Sequence, residues 1–517
     1  MNNLSSNSKI NQLKAGAALS YITMILGYII SIIYTPVMLH LLGQSEYGLY
    51  NLVASVVSYL GLLSFGFGSV YIRYYSRYKV NGDQQNIAKL NGMFLIVFSV
   101  IGLIAVVAGT ILVFDIDPIL GEKLTVDELA TAKVLMIIMV VNIALSFPAS
   151  VFNSYVTANE KYIFQKILQM IKLVINPFIM LPVLLMGYKS VGMVVVTTSI
   201  TIVAELVNII YCFNKLKMKF DFSHFDLSLM KEMTVFSSYI FMNMIIDQIN
   251  WNVDKFILGR YRGTVAVAVY GLAAQLNTYY LSLSTAISSV FIPRVNRLVA
   301  ANDDNENLTH LFTRIGRIQF IILFLICSGL IFFGQPFIHM WAGSEYRQAY
   351  PIALLLIIPV TIPSIQNLGV EIQKAKNMHQ FRSWVYLFIA IGNIIISIPL
   401  TKAYGGVGAA CGTAIALLIG NGILMNWHYH SRVGLNMKFF WGQIMRFIPA
   451  LLPPIIVGIV IVRFVNLYNI VSFLICGLSY ILVYCISMWF LGMNQYEKNL
   501  IGKPIMTTVK RIRLCRR

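Results

Sequence analysis

The chain has 517 residues, of which 58% are hydrophobic and 11% charged, with a mean hydropathy of +0.74. Ordinary soluble domains carry about 25% charged residues, so that class is excluded and a polytopic membrane protein is expected. The formal net charge of +19 would suggest nucleic acid in a soluble protein. Here most Lys and Arg stand at the ends of apolar runs, as the positive-inside rule requires, so no nucleic-acid partner is expected.

The first 14 residues are polar, with only Lys9 and Lys14 charged. The apolar run after them is too long for a signal-peptide core, so the N-terminus is expected to be retained. Runs of about 20 residues, the length that spans hydrocarbon, occur at 15–38, 49–71, 91–114, 132–156, 167–187 and 191–213. A second group lies at 234–258, 266–292, 315–334, 351–373, 383–401 and 406–427, followed by 445–462 and 470–492. The expectation is an all-α membrane protein with 14 transmembrane helices. An even number places both termini on one side, and the basic tail VKRIRLCRR assigns that side to the cytoplasm.

The two groups repeat one another. Leu42-Gly43 matches Leu258-Gly259, and NGDQQNIAKL from Asn81 matches NDDNENLTHL from Asn302. Pro148 lies over Pro363, and Tyr188 to Gly192 over Tyr404 to Gly408. Six helices per repeat is an even number, so the lobes, residues 1–214 and 234–428, are parallel and related by an axis along the membrane normal. Residues 215–233 form a cytoplasmic linker expected to lie amphipathically at the interface. Helices 13 and 14 and the basic tail, 429–517, stand outside the repeat. Pro359 and Pro363 are expected to bend helix 10 near mid-depth.

Helix 7 carries ions where a membrane helix should not. Asn243, Asp247, Asn250 and Asp254 recur every three or four residues and fall on one helical face. Asp247 lies near mid-depth, where a charge costs on the order of 3 kcal/mol or more without a partner or water. An ion or proton site lining a cavity is one reading, with Asn393 and Thr413 as candidate partners; a hydrogen-bonded helix contact is the other. Helix 6 has a similar stripe in Thr198, Thr201, Glu205 and Asn208, and helix 10 one in Ser364, Asn367, Glu371 and Lys374.

Helix 2 ends VYIRYYSRYK, with Arg73 and Arg77 among four tyrosines; helix 8 ends FIPRVNR, with Arg294 and Arg297. Guanidinium forks suit a pyrophosphate, and tyrosines can stack on sugars. Topology signals and an aromatic belt are the competing explanation, which applies equally to Lys166 and Lys172. His428 and His430 are expected at an interface. The six scattered cysteines show no metal or redox spacing, and no catalytic motif appears.

YTPVMLHLLGQSEYGLYNL (34–52), RYYSRY with NGD after helix 2, ANEKYIFQK (158–166) and DKFILG in helix 7 together resemble the polysaccharide transporter, or O-antigen flippase, family. That family shares a superfamily with multidrug and toxic compound extrusion (MATE) proteins and lipid II flippases. The resemblance implies a MATE-like transporter, not an enzyme, in the bacterial cytoplasmic membrane, alternating between inward-open and outward-open states. It implies an undecaprenyl-pyrophosphate-linked oligosaccharide as cargo, for O-antigen, capsule or exopolysaccharide. A proton or sodium gradient is the implied driving force and no cofactor is implied; membrane lipids, a polysaccharide polymerase and a chain-length regulator are the further partners. Asp247, Asn250, Asp254 and Asn243 are the coupling candidates; Arg73, Arg77, Arg294, Arg297, Lys166 and Glu205 are the substrate-binding candidates. A multidrug or cation antiporter of the same fold, a membrane enzyme and a transport-inactive scaffold are the rival readings.

Overall fold

In the computed structural model, residues 2–120, 123–223, 225–301, 305–378 and 380–500 are described. The tail 509–517 that orients the chain, and part of the Asn302 repeat segment, lie outside them. Helix follows helix. The order is α1 (Asn2–Leu42), α2 (Gln44–Val57), α3 (Phe67–Val80), α4 (Gln84–Phe114), the short α5 (Ile116–Leu120), α6 (Val126–Ala158), α7 (Tyr162–Leu185) and α8 (Lys189–Asn214). Then come α9 (Leu227–Arg262), α10 (Thr264–Ser289), α11 (Ile292–Ala300), α12 (Asn305–Ala342), α13 (Ala349–Ile365), α14 (Asn367–Ala375) and α15 (Gln380–Leu417). A π-helical stretch holding the single turn α16 (Asn426–His428) leads to α17 (Met437–Met445), α18 (Ile448–Phe464) and α19 (Ile470–Ser487).

Nine of the described helices are long and apolar enough to cross a membrane, or up to 11 if each bent pair is one span. The fourteen spans of the sequence reading therefore exceed what length and apolarity establish. α9 and α10 are absent from that count because their polar residues dilute the apolar run. The bent pairs are α13 with α14 and α17 with α18, each turning 42°. The first breaks at Gln366, three residues after Pro363, as the proline pair leads one to expect; Pro148 leaves α6 unbroken.

Local chemistry sets the helix boundaries. Asp83, Asp226, Asn436 and Asn469 cap α4, α9, α17 and α19 by accepting backbone N–H bonds, which satisfies donors a helix start leaves open. Thr125 and Glu128 form a complete capping box on α6. The expected second span is kept as one apolar stretch, Gln44–Val80, but its helix is interrupted at Phe65 and Gly66, both at positive φ. A Cβ on Gly66 would lie 2.5 Å from Ile240, so only glycine takes that turn. Gly263 takes a backbone conformation like that of Gly43; Gly259, the sequence match, lies inside α9. The duplication is thus shifted by four residues at this turn.

The chain forms two compact units: residues up to Gly271 with Ile394–Ala409, and Leu272–Asn393 with Ala410–Arg517. In the first, α4, α6 and α8 pack side by side, α1 lies on α7, and α2 and α3 lie on α6 and α9. Its core includes Tyr71, Tyr75, Phe94, Phe98 and Phe152. Compactness in space and duplication in sequence divide the chain differently, because α9 packs with the first six spans. The connection 215–226 does not float as a free amphipathic strap. Asn91 donates to the Lys219 carbonyl at 2.8 Å, the Asp221 N–H donates to the Ala88 carbonyl at 3.0 Å, and Met218 is buried. In the second unit α12 is the central helix, contacting α13, α14, α17, α18 and α19.

Candidate functional site

The polar face of α9 is divided by the fold. Asp254 is 2% exposed and accepts a hydrogen bond from the Tyr270 hydroxyl of α10 at 2.6 Å. Asp247, two turns earlier on the same face, is exposed, with Asn243 and Asn250 half-buried. The adjoining face packs against the start of the bundle: Phe241 stacks on Phe65 at 4.0 Å, and Gln248 donates to the Ser58 carbonyl at 2.5 Å. Asp254 therefore serves a closed helix contact, whereas the Asp247 carboxylate is not sealed in one. Asn393 and Thr413, the partners considered for Asp247, lie 3.4 Å from each other within the second unit.

One end of the first unit, read from the sequence as its outer margin, is bound together by groups the sequence reading did not single out. Glu128 accepts from the Ser45 hydroxyl at 2.5 Å and the Thr264 hydroxyl at 2.7 Å, so one carboxylate ties the starts of α2, α6 and α10. Beside it, Arg260 donates to the carbonyls of Pro118 and Ile119. Arg262 donates to those of Thr401, Lys402 and Ala403. These are carbonyls left over where helices terminate; the second group precedes Gly405, whose φ of 61° breaks α15. The signal for Glu128 was legible as Thr125-x-x-Glu128 before an apolar run, a capping box. Its second role was not.

At the opposite end, Arg73 and Arg77 are exposed, and Arg73 lies over the Phe236 ring at 4.4 Å. Three of the four tyrosines offered for sugar stacking point into the core instead. Tyr71 donates to Asn91 at 2.6 Å, Tyr75 donates to Asn159 at 2.9 Å, and Tyr74 is buried. A helix of this length buries one face whatever its aromatic content, and the tyrosines lie on it. Lys166, on α7, donates to Gln169 at 3.2 Å.

Glu205 is half-buried inside the first unit, where Asn153 of α6 donates to both its oxygens at 3.0 and 3.3 Å. Asn208 in turn donates to Asn153 at 2.8 Å. In the second unit Arg294 and Arg297 are exposed on α11, and Glu371 pairs with Lys374 at 2.8 Å. His428 is not interfacial: it is 3% exposed and stacks on Phe381 at 4.1 Å. A buried ion pair went unnoticed in the sequence. Arg317 reaches Glu497 at 2.6 and 3.0 Å and also donates to the carbonyls of Gln443 and Gly492. Among the described residues no group of His, Cys, Asp and Glu could hold a metal ion.

Long apolar helices in two compact units, with ionisable groups half-buried among them, define a multi-pass membrane protein. The chain belongs to the polysaccharide biosynthesis protein family, whose model matches residues 13–299. It is 21% identical over 490 residues to the uncharacterized membrane protein EpsK of Bacillus subtilis, covering 94% of this chain and 96% of that one. It is 25% identical over 154 residues to the teichuronic acid biosynthesis protein TuaB of the same organism, covering 29% and 31%. Among solved structures it is similar to the lipid II flippase MurJ in an inward closed conformation, with TM-score 0.71 and 17% identity over 91% of this chain and 97% of MurJ. A MATE family multidrug transporter in an inward-facing conformation follows at TM-score 0.62 and 12% identity, over 81% and 99%.

Proposed function

We propose that the protein is a flippase that carries undecaprenyl-pyrophosphate-linked oligosaccharide from the inner to the outer leaflet of a bacterial cytoplasmic membrane. The observation that carries this reading is the coincidence of two likenesses: a polysaccharide biosynthesis family and, over nearly the whole chain, the fold of a lipid II flippase. Lipid II is itself a glycan on a lipid carrier, so both point to a lipid-linked sugar. The flanking arginines Arg73, Arg77, Arg294 and Arg297 are exposed, as pyrophosphate ligands must be. Asp247 is the coupling group: an exposed carboxylate part-way along a 36-residue helix can exchange a proton or sodium ion, whereas Asp254 is committed to Tyr270.

The likeness to MATE transporters supports a second reading, a cation antiporter, because an acid in the same place would also attract a cationic drug. Reconstitution in liposomes separates the two. The flippase reading expects a fluorescent undecaprenyl-pyrophosphate-linked glycan to move between leaflets faster under an imposed proton or sodium gradient. Movement of rhodamine-type cations, with the lipid-linked glycan left in its leaflet, would establish the antiporter instead.

A further inference from the structure

Within the first unit Glu205 and Asn208 of α8 and Asn153 of α6 form one hydrogen-bonded cluster, with Lys172 and Asn176 on the neighbouring α7. Glu205 is half-buried, whereas Val203, Leu206 and Ile210 of the same helix are exposed. It accepts from Asn153, which accepts from Asn208, and Lys172 of α7 acts on it electrostatically. The chain of amides ends without closing. Asn208 is 1% exposed, yet its Oδ1 has no hydrogen-bond partner, and neither has the buried Oδ1 of Asn176, one turn along α7 from Lys172. Buried amide oxygens are almost always paired, and a purely structural helix contact would have closed the network. Open acceptors on Asn208, Asn176 and the Glu205 carboxylate thus outnumber the one donor group near them, the Lys172 ammonium.

We propose that this cluster is a carbohydrate subsite that accepts hydroxyl groups of a neutral sugar ring, with Lys172 donating to one of the ring's oxygens. A metal cation fits less well, because the Lys172 charge would repel it. A sugar brings several O–H donors on one rigid frame, which is what acceptor-rich clusters take. The proposal rests on the reading of the protein as a carrier of lipid-linked glycan and assigns the part of the cargo that the exposed arginines cannot read, since those recognise phosphate alone.

The full-length protein in nanodiscs can be titrated with undecaprenyl pyrophosphate and with the same lipid bearing a single glucose, galactose or N-acetylglucosamine. Wild type should bind at least one glycosylated lipid about ten-fold more tightly than the bare one, the scale of hydrogen bonds to a charged acceptor. Glu205→Gln and Lys172→Met, each checked for folding by thermal unfolding, should remove most of that preference while leaving affinity for the bare lipid within two- to three-fold, roughly the scale of additivity errors. Equal wild-type affinity for bare and glycosylated lipids would overturn the subsite alone. So would a preference that survives both substitutions, including the case where Glu205→Gln changes only the pH dependence of transport and so marks a proton site. Failure of wild type to bind any of these lipids would overturn the carrier reading and the subsite with it.

Discussion

At the scale of single residues, Asp247 and Asp254 have the same side chain, the same helix and nearly the same azimuth, yet the fold gives them different work. Asp254 is buried, and one of its oxygens, Oδ2, is engaged by the Tyr270 hydroxyl. Asp247 is exposed, which the coupling role proposed for it requires. Asp247→Asn should therefore abolish gradient-driven transport while the protein still inserts; full activity of the variant in a complementation assay would remove the coupling role. Arg73 and Arg294, like Asp247, are exposed. Replacing the two together by Gln should weaken binding of undecaprenyl pyrophosphate, because the guanidinium forks that suit phosphate oxygens are removed. Unchanged binding would leave them as topology signals.

At the scale of elements, close helix approach and buried charge decide which helices stay together. In the first unit α2 meets the start of α10 so tightly that a Cβ on Gly48 would fall 1.9 Å from the Thr264 carbonyl. Small residues allow such backbone approach between membrane helices. In the second unit the Arg317 guanidinium holds Glu497, which follows the last helix, to the middle of α12, and lies over Phe447 at 4.2 Å. Arg317→Met should destabilise the detergent-solubilised protein by about 3–5 kcal/mol, because it strands a buried carboxylate. Adding Glu497→Leu should recover part of that loss, and only part, since the carbonyls of Gln443 and Gly492 stay without their donor. A double variant no more stable than the single one in thermal unfolding would show that the carboxylate is not the group at stake.

At the scale of the whole molecule, orientation follows from charge. Lys123 and Arg262 belong to the margin read as outer, Lys217 and Arg77 to the margin read as inner. Cysteine placed at Lys123 in a cysteine-free background should react with a membrane-impermeant maleimide in intact cells, and cysteine at Lys217 only after permeabilisation. The reverse pattern would invert the topology and with it the assignment of Arg73 and Arg77 to the face where a cytoplasmic cargo would arrive. The same scale separates two kinds of modularity: the sequence repeats after six spans, but α9 and the Gly405 turn pack with the first unit. The repeat was read from local matches in the sequence, whereas burial decides which helices share a core.

Membrane character, the bend near Pro363 and the shared helical face of Asp247 and Asp254 were legible in the sequence alone, because apolarity, helical period and proline chemistry are local properties. The same local reading drew the tyrosines after Arg73 toward solvent and His428 toward an interface, since periodicity shows that residues share a face but not what the face meets. Only the tertiary structure decided that Glu128 would join Ser45, 83 residues away, and Thr264, 136 away, or that Arg317 would find Glu497 across 180 residues. Those meetings depend on how helices lie against one another. Spacing along a chain carries no record of that once the helix has ended.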